Sequence, residues 1–131
     1  MKNIITILHI IPTLEVGGAE RQLGLLCMEQ ARQGYAVHVA LRREGEFSCL
    51  IDSSRVCVHM IGNYPGLNPF LLFSLNRLIA KISPTIIQTW STQMDIVGGT
   101  AALFSRIPWI ATERTGLDFY NLNRRSFYNF L

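Results

Sequence analysis

The chain has 131 residues and a mass of 14.8 kDa, enough for one domain with a hydrophobic core and too little for two. Apolar residues make up 49% of it and charged residues 16%, whereas a typical soluble domain carries about 25% charged residues. This composition excludes a disordered tail, a coiled coil and a polybasic nucleic-acid arm. The net charge of +3 has no block of like charges, so an anionic ligand or membrane surface is allowed and dedicated nucleic-acid binding is not indicated.

The three cysteines and three histidines lack the spacing of a metal site or of a disulfide framework, so we expect reduced thiols and no bound metal. The apolar start, residues 4–11, is shorter than the roughly 18 residues of a membrane span. His9 and Pro12 interrupt it, and no signal-peptide cleavage site follows. A buried first strand explains this segment best.

Apolar runs typical of buried strands alternate along the chain with helical patterns. The predicted strands are residues 4–11, 35–41, 56–61, 85–90 and 108–112. The predicted helices are residues 19–33, 47–51, 68–82, 95–105 and 118 to the end. This alternation predicts an α/β domain, a doubly wound parallel sheet of about five strands with right-handed crossovers.

Several residues within this pattern are assigned structural roles. His9 lies in an apolar strand and is predicted to be a core residue, and His38 and His59 alternate with apolar neighbours as strand residues do. Phe73 belongs to an apolar set at helical spacing, which predicts a place in the core. Asp95 is predicted to cap the helix that it begins.

In an open α/β sheet, ligands bind beyond the carboxyl ends of the strands. The segment after the first strand, PTLEVGGAER, joins two glycines to the start of a helix. The glycines let a ligand approach the backbone, and the helix N-terminus offers N–H groups suited to phosphate. The segment is neither GxGxxG nor GxxxxGK[ST], which excludes the dinucleotide and ATPase motifs. The alternative is that the glycines only form a tight turn.

At this loop the chain resembles a known family. The segment HIIPTLEVGGAERQL is similar to the opening of the family-4 glycosyltransferases of GT-B architecture. The resemblance continues through QGYAVHVALRREG and ISPTIIQTWSTQMDIVGGTAALFSRIPWIATERTG, in the family's order and over nearly the whole chain.

The resemblance implies that residues 1–131 form a Rossmann-like N-terminal, acceptor-side domain, one half of a GT-B fold. The strand order expected for such a sheet is 3-2-1-4-5. The family's second domain binds most of the nucleotide sugar and carries two glutamates in an E-x7-E pattern. No such pair occurs in this sequence, so the resemblance covers the first half only.

The resemblance also implies roles for residues after the first and fifth strands. Gly17, Gly18 and Ala19 are expected near the donor's diphosphate, with a nucleotide sugar as co-substrate and no metal or other cofactor. Glu113 and Arg114 stand where relatives often carry a histidine, so a role carried over from that histidine does not follow. As catalytic candidates, Arg114 would pair with an anionic group and Glu113 would act as a base or anchor an acceptor hydroxyl. The alternative is an internal charge balance in a solvated loop.

The acceptor-binding candidates are Arg21, Trp90 and Ser91. Trp90 ends the fourth strand, where many relatives carry histidines, and could offer an aromatic platform to a sugar or lipid. The alternative is that Trp90 packs at the rim of the next helix.

The full enzyme would therefore transfer a hexose-type sugar from a nucleotide sugar to a saccharide or lipid-linked acceptor, with retention. It would act in the cytoplasm, where peripheral contact with the inner face of the membrane is allowed. The chain ends in aromatic residues without a cap, which predicts a cut before the donor-binding domain and no turnover by this chain alone. Two alternatives stay open. One is a stand-alone flavodoxin-like binding module, and the other is a non-catalytic subunit completed by a separate donor-binding chain.

Overall fold

Five strands alternate with helices in the computed structural model, which describes residues 3–15, 17–64 and 67–112. The strands are β1 (Thr6–Ile10), β2 (Ala36–Leu41), β3 (Val56–Met60), β4 (Ile86–Trp90) and β5 (Trp109–Thr112). The helices are α1 (Gly18–Arg32), α2 (Pro69–Ile82), α3 (Thr92–Ser105) and a short 3-10 segment (Glu46–Leu50). The helix predicted from residue 118 onward lies outside the described residues.

All neighbouring strands are parallel, and the sheet order is β3-β2-β1-β4-β5, which confirms the predicted doubly wound fold and its order. From β1 the chain moves outward through β2 to β3, and it then returns to β4 beside β1 and continues to β5. The order of strands therefore reverses between β1 and β4. Their carboxyl ends, which lie side by side, are the expected ligand position of such a sheet.

The sheet is covered on both faces, which explains why β1 has four consecutive buried residues instead of an alternating pattern. On one face, Leu23 and Cys27 of α1 pack against β2. Burial raises the pKa of the Cys27 thiol to about 12, so this cysteine stays protonated and inert. On the other face, Leu71 and Leu75 of α2 pack in one cluster with residues of β1, β4 and α3.

The sequence predicts the start of α2 correctly but places the start of α3 too late. Asn68 accepts a hydrogen bond from the Phe70 N–H and Pro69 occupies the first helical turn, as the pattern Asn-Pro favours. In α3 the cap position is Ser91, and Asp95 lies within the first turn. The prediction that α3 begins at Asp95, with Asp95 as its N-cap residue, is therefore wrong.

Small residues bring α3 close to the sheet. A Cβ added to Gly98 would lie 2.6 Å from the Thr89 methyl group, and one added to Gly99 would lie 2.5 Å from the Trp109 ring. The prediction for Phe73 is wrong, because its ring is 60% exposed. None of the described helices has the length and hydropathy needed to cross a bilayer.

Candidate functional site at the carboxyl edge of the sheet

Two helices begin where the strand order reverses. Gly17 is the cap residue of α1, which follows β1, and Ser91 is the cap residue of α3, which follows β4. Neither helix start receives a side-chain capping hydrogen bond. Both helices therefore direct the positive ends of their dipoles toward the carboxyl edge of the sheet, and this orientation favours an anion there.

The glycine loop has one open side. A Cβ added to Gly18 would meet no atom within 4 Å, whereas one added to Gly17 would collide with the Glu20 carboxylate. Gly17 has an extended backbone, with φ 176°, so its conformation does not require glycine. Ala19 and Arg21 belong to the first turn of α1, and the Arg21 side chain is exposed. Gly18 is thus the position where a ligand can reach the backbone.

The segment after β2 fixes the glycine loop from the side. The Arg43 guanidinium pairs with the Glu15 carboxylate at 2.6 Å, and the Phe47 N–H donates to the Leu14 carbonyl at 2.7 Å. Gly45 lies so close that a Cβ there would overlap backbone atoms of Leu14 and Glu15. This close contact was not predicted from the sequence, because it depends on the pairing of segments that lie about thirty residues apart.

Trp90 is a core residue. Its side chain is 3% exposed and packs in the cluster beneath α1, and its indole N–H donates to Nδ1 of His9 at 3.2 Å. The prediction that Trp90 offers a platform to the acceptor is therefore wrong, because almost none of the ring is accessible to a ligand.

His9 is also structural, as predicted. Because Nδ1 accepts the Trp90 N–H, the ring proton is on Nε2, which donates to the Gln30 side chain at 2.8 Å. Burial lowers the pKa of His9 and keeps it neutral. The arrangement explains why Gln30, a polar residue, stands on the inward face of α1.

Ser91 combines two unfavourable features. Its backbone has φ 86° and ψ 153°, a region that L-residues rarely adopt, and its hydroxyl is buried without a hydrogen-bond partner among the described residues. Each feature costs on the order of 1–3 kcal/mol. Such strain clusters at functional positions, and Ser91 begins α3 at the edge where ligands bind.

A hydrogen-bonded chain that sequence reasoning missed lies beside Ser91. The Trp109 indole donates to the Thr89 hydroxyl at 2.8 Å, and that hydroxyl donates to the Asp95 carboxylate at 2.6 Å. The chain holds a carboxylate near the carboxyl ends of β4 and β5. The signal in the sequence is Thr89, which faces the small residues of α3. This signal can be recognised only once the register of α3 is known.

The catalytic candidates Glu113 and Arg114 lie outside the described residues, so their roles stay predictions. Within the described ranges, no group of three or more His, Cys, Asp and Glu side chains could hold a metal ion.

A groove of about 720 Å³ lies between α2 and β3, the edge strand of the sheet. The side chains that set its chemistry are His59, Met60, Tyr64, Phe70, Phe73, Arg77 and Lys81. Phe70 and Phe73 are 65% and 60% exposed, and the Arg77 guanidinium lies 5.9 Å from the centre of the Phe73 ring. The exposed face of α2 is therefore aromatic near its start and cationic near its end.

Two histidines pair at the edge of this groove, where β2 meets β3. His38 Nδ1 and His59 Nε2 are 2.9 Å apart, and the ring planes differ by 17°. The centroid separation of 5.2 Å is that of two rings in line through one N–H···N bond, not of two stacked faces. Desolvation lowers the pKa of both, and the neighbouring Lys81 lowers that of His59 further.

The fold matches two solved structures. One is MurG from Acinetobacter baumannii, with a TM-score of 0.67 and 17% identity, covering 92% of this chain and 39% of that one. The other is a glycosyltransferase from Rickettsia africae ESF-5, with a TM-score of 0.65 and 16% identity, covering 93% of this chain and 34% of that one. At these identities the likeness concerns the fold, and the chain spans little more than a third of either protein.

No curated protein is significantly similar to the chain in sequence. The sequence model of the family described as Glycosyltransferase Family 4 matches residues 16–131, which include the glycine loop, both helix starts and the whole sheet after β1. The chain therefore belongs to glycosyltransferase family 4 and has the Rossmann-like fold of the N-terminal half of a GT-B enzyme.

Proposed function

We propose that this domain is the acceptor-side half of an enzyme that transfers a hexose-type sugar from a nucleotide sugar to a saccharide or lipid-linked acceptor. The observation that carries the proposal is the open glycine turn at the start of α1, which follows β1 where the strand order reverses. Family membership supplies the reaction class, and the arrangement supplies a place for the charge that the reaction releases.

Sugar transfer leaves a nucleoside diphosphate, and stabilising its charge is the main electrostatic task of such an enzyme. Backbone N–H groups at Gly18 and Ala19 are suited to this task, because the space at Gly18 is open and the helix dipole favours negative charge. We therefore assign the leaving diphosphate to the Gly17–Ala19 turn, with no metal and no cofactor besides the nucleotide-sugar co-substrate.

For the acceptor we retain Ser91 and Arg21 and replace Trp90 with the ordered carboxylate of Asp95. Ser91 is the cap residue of α3 and Asp95 lies in its first turn, directly after β4. Arg21 is exposed in the first turn of α1. Glu113 and Arg114 keep their predicted roles as base and anion partner.

A lipid-linked acceptor would bring this domain to a membrane surface. The face of α2 supports this, because exposed Phe70 and Phe73 can enter the interfacial region while Arg77 and Lys81 attract anionic headgroups. In sedimentation assays the domain is expected to bind anionic vesicles. Phe73→Ser is expected to weaken that binding with little loss of stability. Leu25→Ser on the exposed face of α1 is the matched control. Equal binding by wild type and F73S would contradict the assignment of this face.

The diphosphate assignment is tested with a charge placed at the open position. Gly18→Asp puts a carboxylate at the first turn of α1, where the helix dipole stabilises it and no atom obstructs it. We therefore expect G18D to fold at least as stably as wild type and to lose the amide NMR shifts that inorganic pyrophosphate induces at residues 17–19. The neutral isostere Gly18→Asn is the control and should keep most of these shifts. Unchanged shifts in G18D would refute the assignment.

The 131-residue chain by itself is proposed to lack turnover, because it contains no E-x7-E pair. A separate donor-binding chain and a continuous polypeptide predict the same site on this domain. They differ only in whether transfer requires mixing two chains.

A further inference from the structure

We propose that Arg42 binds an oxyanion of the acceptor substrate, at a position distinct from the diphosphate turn at Gly17–Ala19. That the ligand is the acceptor rests on the proposed function, whereas that the ligand is an anion rests on the geometry of Arg42.

Arg42 directly follows β2 at the carboxyl edge of the sheet. Its backbone N–H donates to the Pro12 carbonyl at 2.9 Å, which places it beside the start of the glycine loop. Side chains alternate along a strand, so Arg42 shares a face with Ala40, which packs in the cluster beneath α2. The Arg42 side chain therefore lies on the α2 face, whereas the glycine loop leads to α1 on the opposite face. A diphosphate bound at Gly18 therefore does not explain the position of the Arg42 side chain.

The charge of Arg42 has no counter-ion among the described residues. Its neighbour Arg43 takes the carboxylate of Glu15, while Arg42 donates one N–H, from Nη1, to the Tyr64 carbonyl at 2.8 Å. Its Nε is buried and has no hydrogen-bond partner within the described part of the chain. Burial and the like charge of Arg43 both lower the pKa of Arg42, which is the signature of a cation in an unfavourable setting.

A guanidinium in this state is suited to a ligand that brings negative charge. The planar fork of N–H groups matches the oxygens of phosphate or carboxylate in a bidentate pair. A purely structural Arg42, which only holds the loop at Tyr64, needs one neutral acceptor and gains nothing from the missing counter-ion. The geometry therefore points to an acceptor that carries a phosphoryl or carboxylate group.

The test follows the Arg42 side-chain and Tyr64 amide NMR signals of the 131-residue chain during titration with inorganic phosphate and, separately, with acetate, at constant ionic strength. We expect saturable shifts of both signals in the wild type. Arg42→Gln should abolish the shift of the Tyr64 amide, and the remote control Arg55→Gln should leave it intact. Arg42→Lys should keep the charge and bind more weakly, because it cannot form the bidentate pair. Saturation by phosphate alone identifies a phosphoryl ligand, and saturation by acetate as well admits a carboxylate. No saturable shift with either anion overturns the inference.

Transfer assays separate this inference from the proposed function. In an enzyme completed by its donor-binding half, R42Q should raise the KM for an anionic acceptor by about tenfold or more and leave the KM for the nucleotide sugar unchanged. If R42Q affects neutral and anionic acceptors equally, the inference falls and the proposed function stands. If phosphate saturates at Arg42 but no sugar is transferred, the proposed function falls, together with the assignment of the anion to an acceptor.

Discussion

Replacing Gly45 with alanine tests whether the segment after β2 holds the glycine loop in place. Gly45 has an extended backbone, with φ −152° and ψ −174°, which alanine adopts without strain. By itself the change would stabilise the protein by about 0.4–1 kcal/mol, because it restricts the unfolded chain. The new Cβ, however, would overlap the backbone of Leu14 and Glu15, which cannot rotate away as a side chain can.

Overpacking costs about 1–3 kcal/mol, and overlap with backbone atoms belongs in the upper half of that range, about 2–3 kcal/mol. Subtracting the gain leaves a net destabilisation of about 1–2.5 kcal/mol. For a chain of this size, the expected fall in Tm is roughly 4–8 °C. The relaxed loop should also give weaker pyrophosphate shifts at Gly17 and Gly18, which links the packing at Gly45 to the proposed site.

Thermal unfolding and urea titration of the purified variants measure the effect. Gly18→Ala is the matched control, because the same substitution on the open side of the same loop meets no atom and should be neutral or stabilising by up to about 1 kcal/mol. If G45A is as stable as wild type and binds pyrophosphate equally, the loop is not held by this contact and the reasoning is refuted.

Two further predictions concern the histidines and Ser91. The pKa values of His9, His38 and His59 in the folded state lie below the ordinary histidine value of about 6.5. The unfolded chain therefore binds more protons, and stability should fall as the pH drops below about 6.5. Urea midpoints measured from about pH 7.5 to about pH 5 should show this fall, with a smaller slope in His59→Gln, and a flat profile would contradict the burial of these rings. Ser91→Gly removes both the strained φ and the unpaired hydroxyl, so it should raise the free energy of unfolding by about 1 kcal/mol or more while lowering sugar transfer. A loss of stability in S91G would show that the strain is absent.

The sequence predicted the sheet because its signals were local. Continuous apolar runs identified strands covered on both faces, and strand–helix alternation fixed parallel pairing. The order β3-β2-β1-β4-β5 followed from the general rules for such sheets.

The errors concern residues whose role depends on a distant partner. Trp90 at a strand end has the same local pattern whether its ring is exposed or hydrogen-bonded to His9, 81 residues earlier. Asp95 looked like a cap because aspartate often is one, but its helix begins one turn earlier and its carboxylate accepts a hydrogen bond from Thr89. Phe73 fits the apolar helical spacing of Leu71 and Leu75 and still points to solvent, since the apolar stripe of α2 is wider than the face that the sheet covers.

The opposite case is Arg42, which the sequence presented as half of an unremarkable basic pair with Arg43. Only the structure separates the two, because Arg43 is neutralised by Glu15 and Arg42 is left without a counter-ion among the described residues.

Sugar transfer from a panel of labelled nucleotide sugars, measured with the 131-residue chain alone and with the chain completed by a donor-binding half that carries the E-x7-E pair, tests the central claim most directly. We predict transfer by the completed enzyme, loss of that transfer in G18D with retention in G18N, and no transfer by the chain alone. Transfer by the chain alone, or equal transfer by G18D and G18N, would contradict the account.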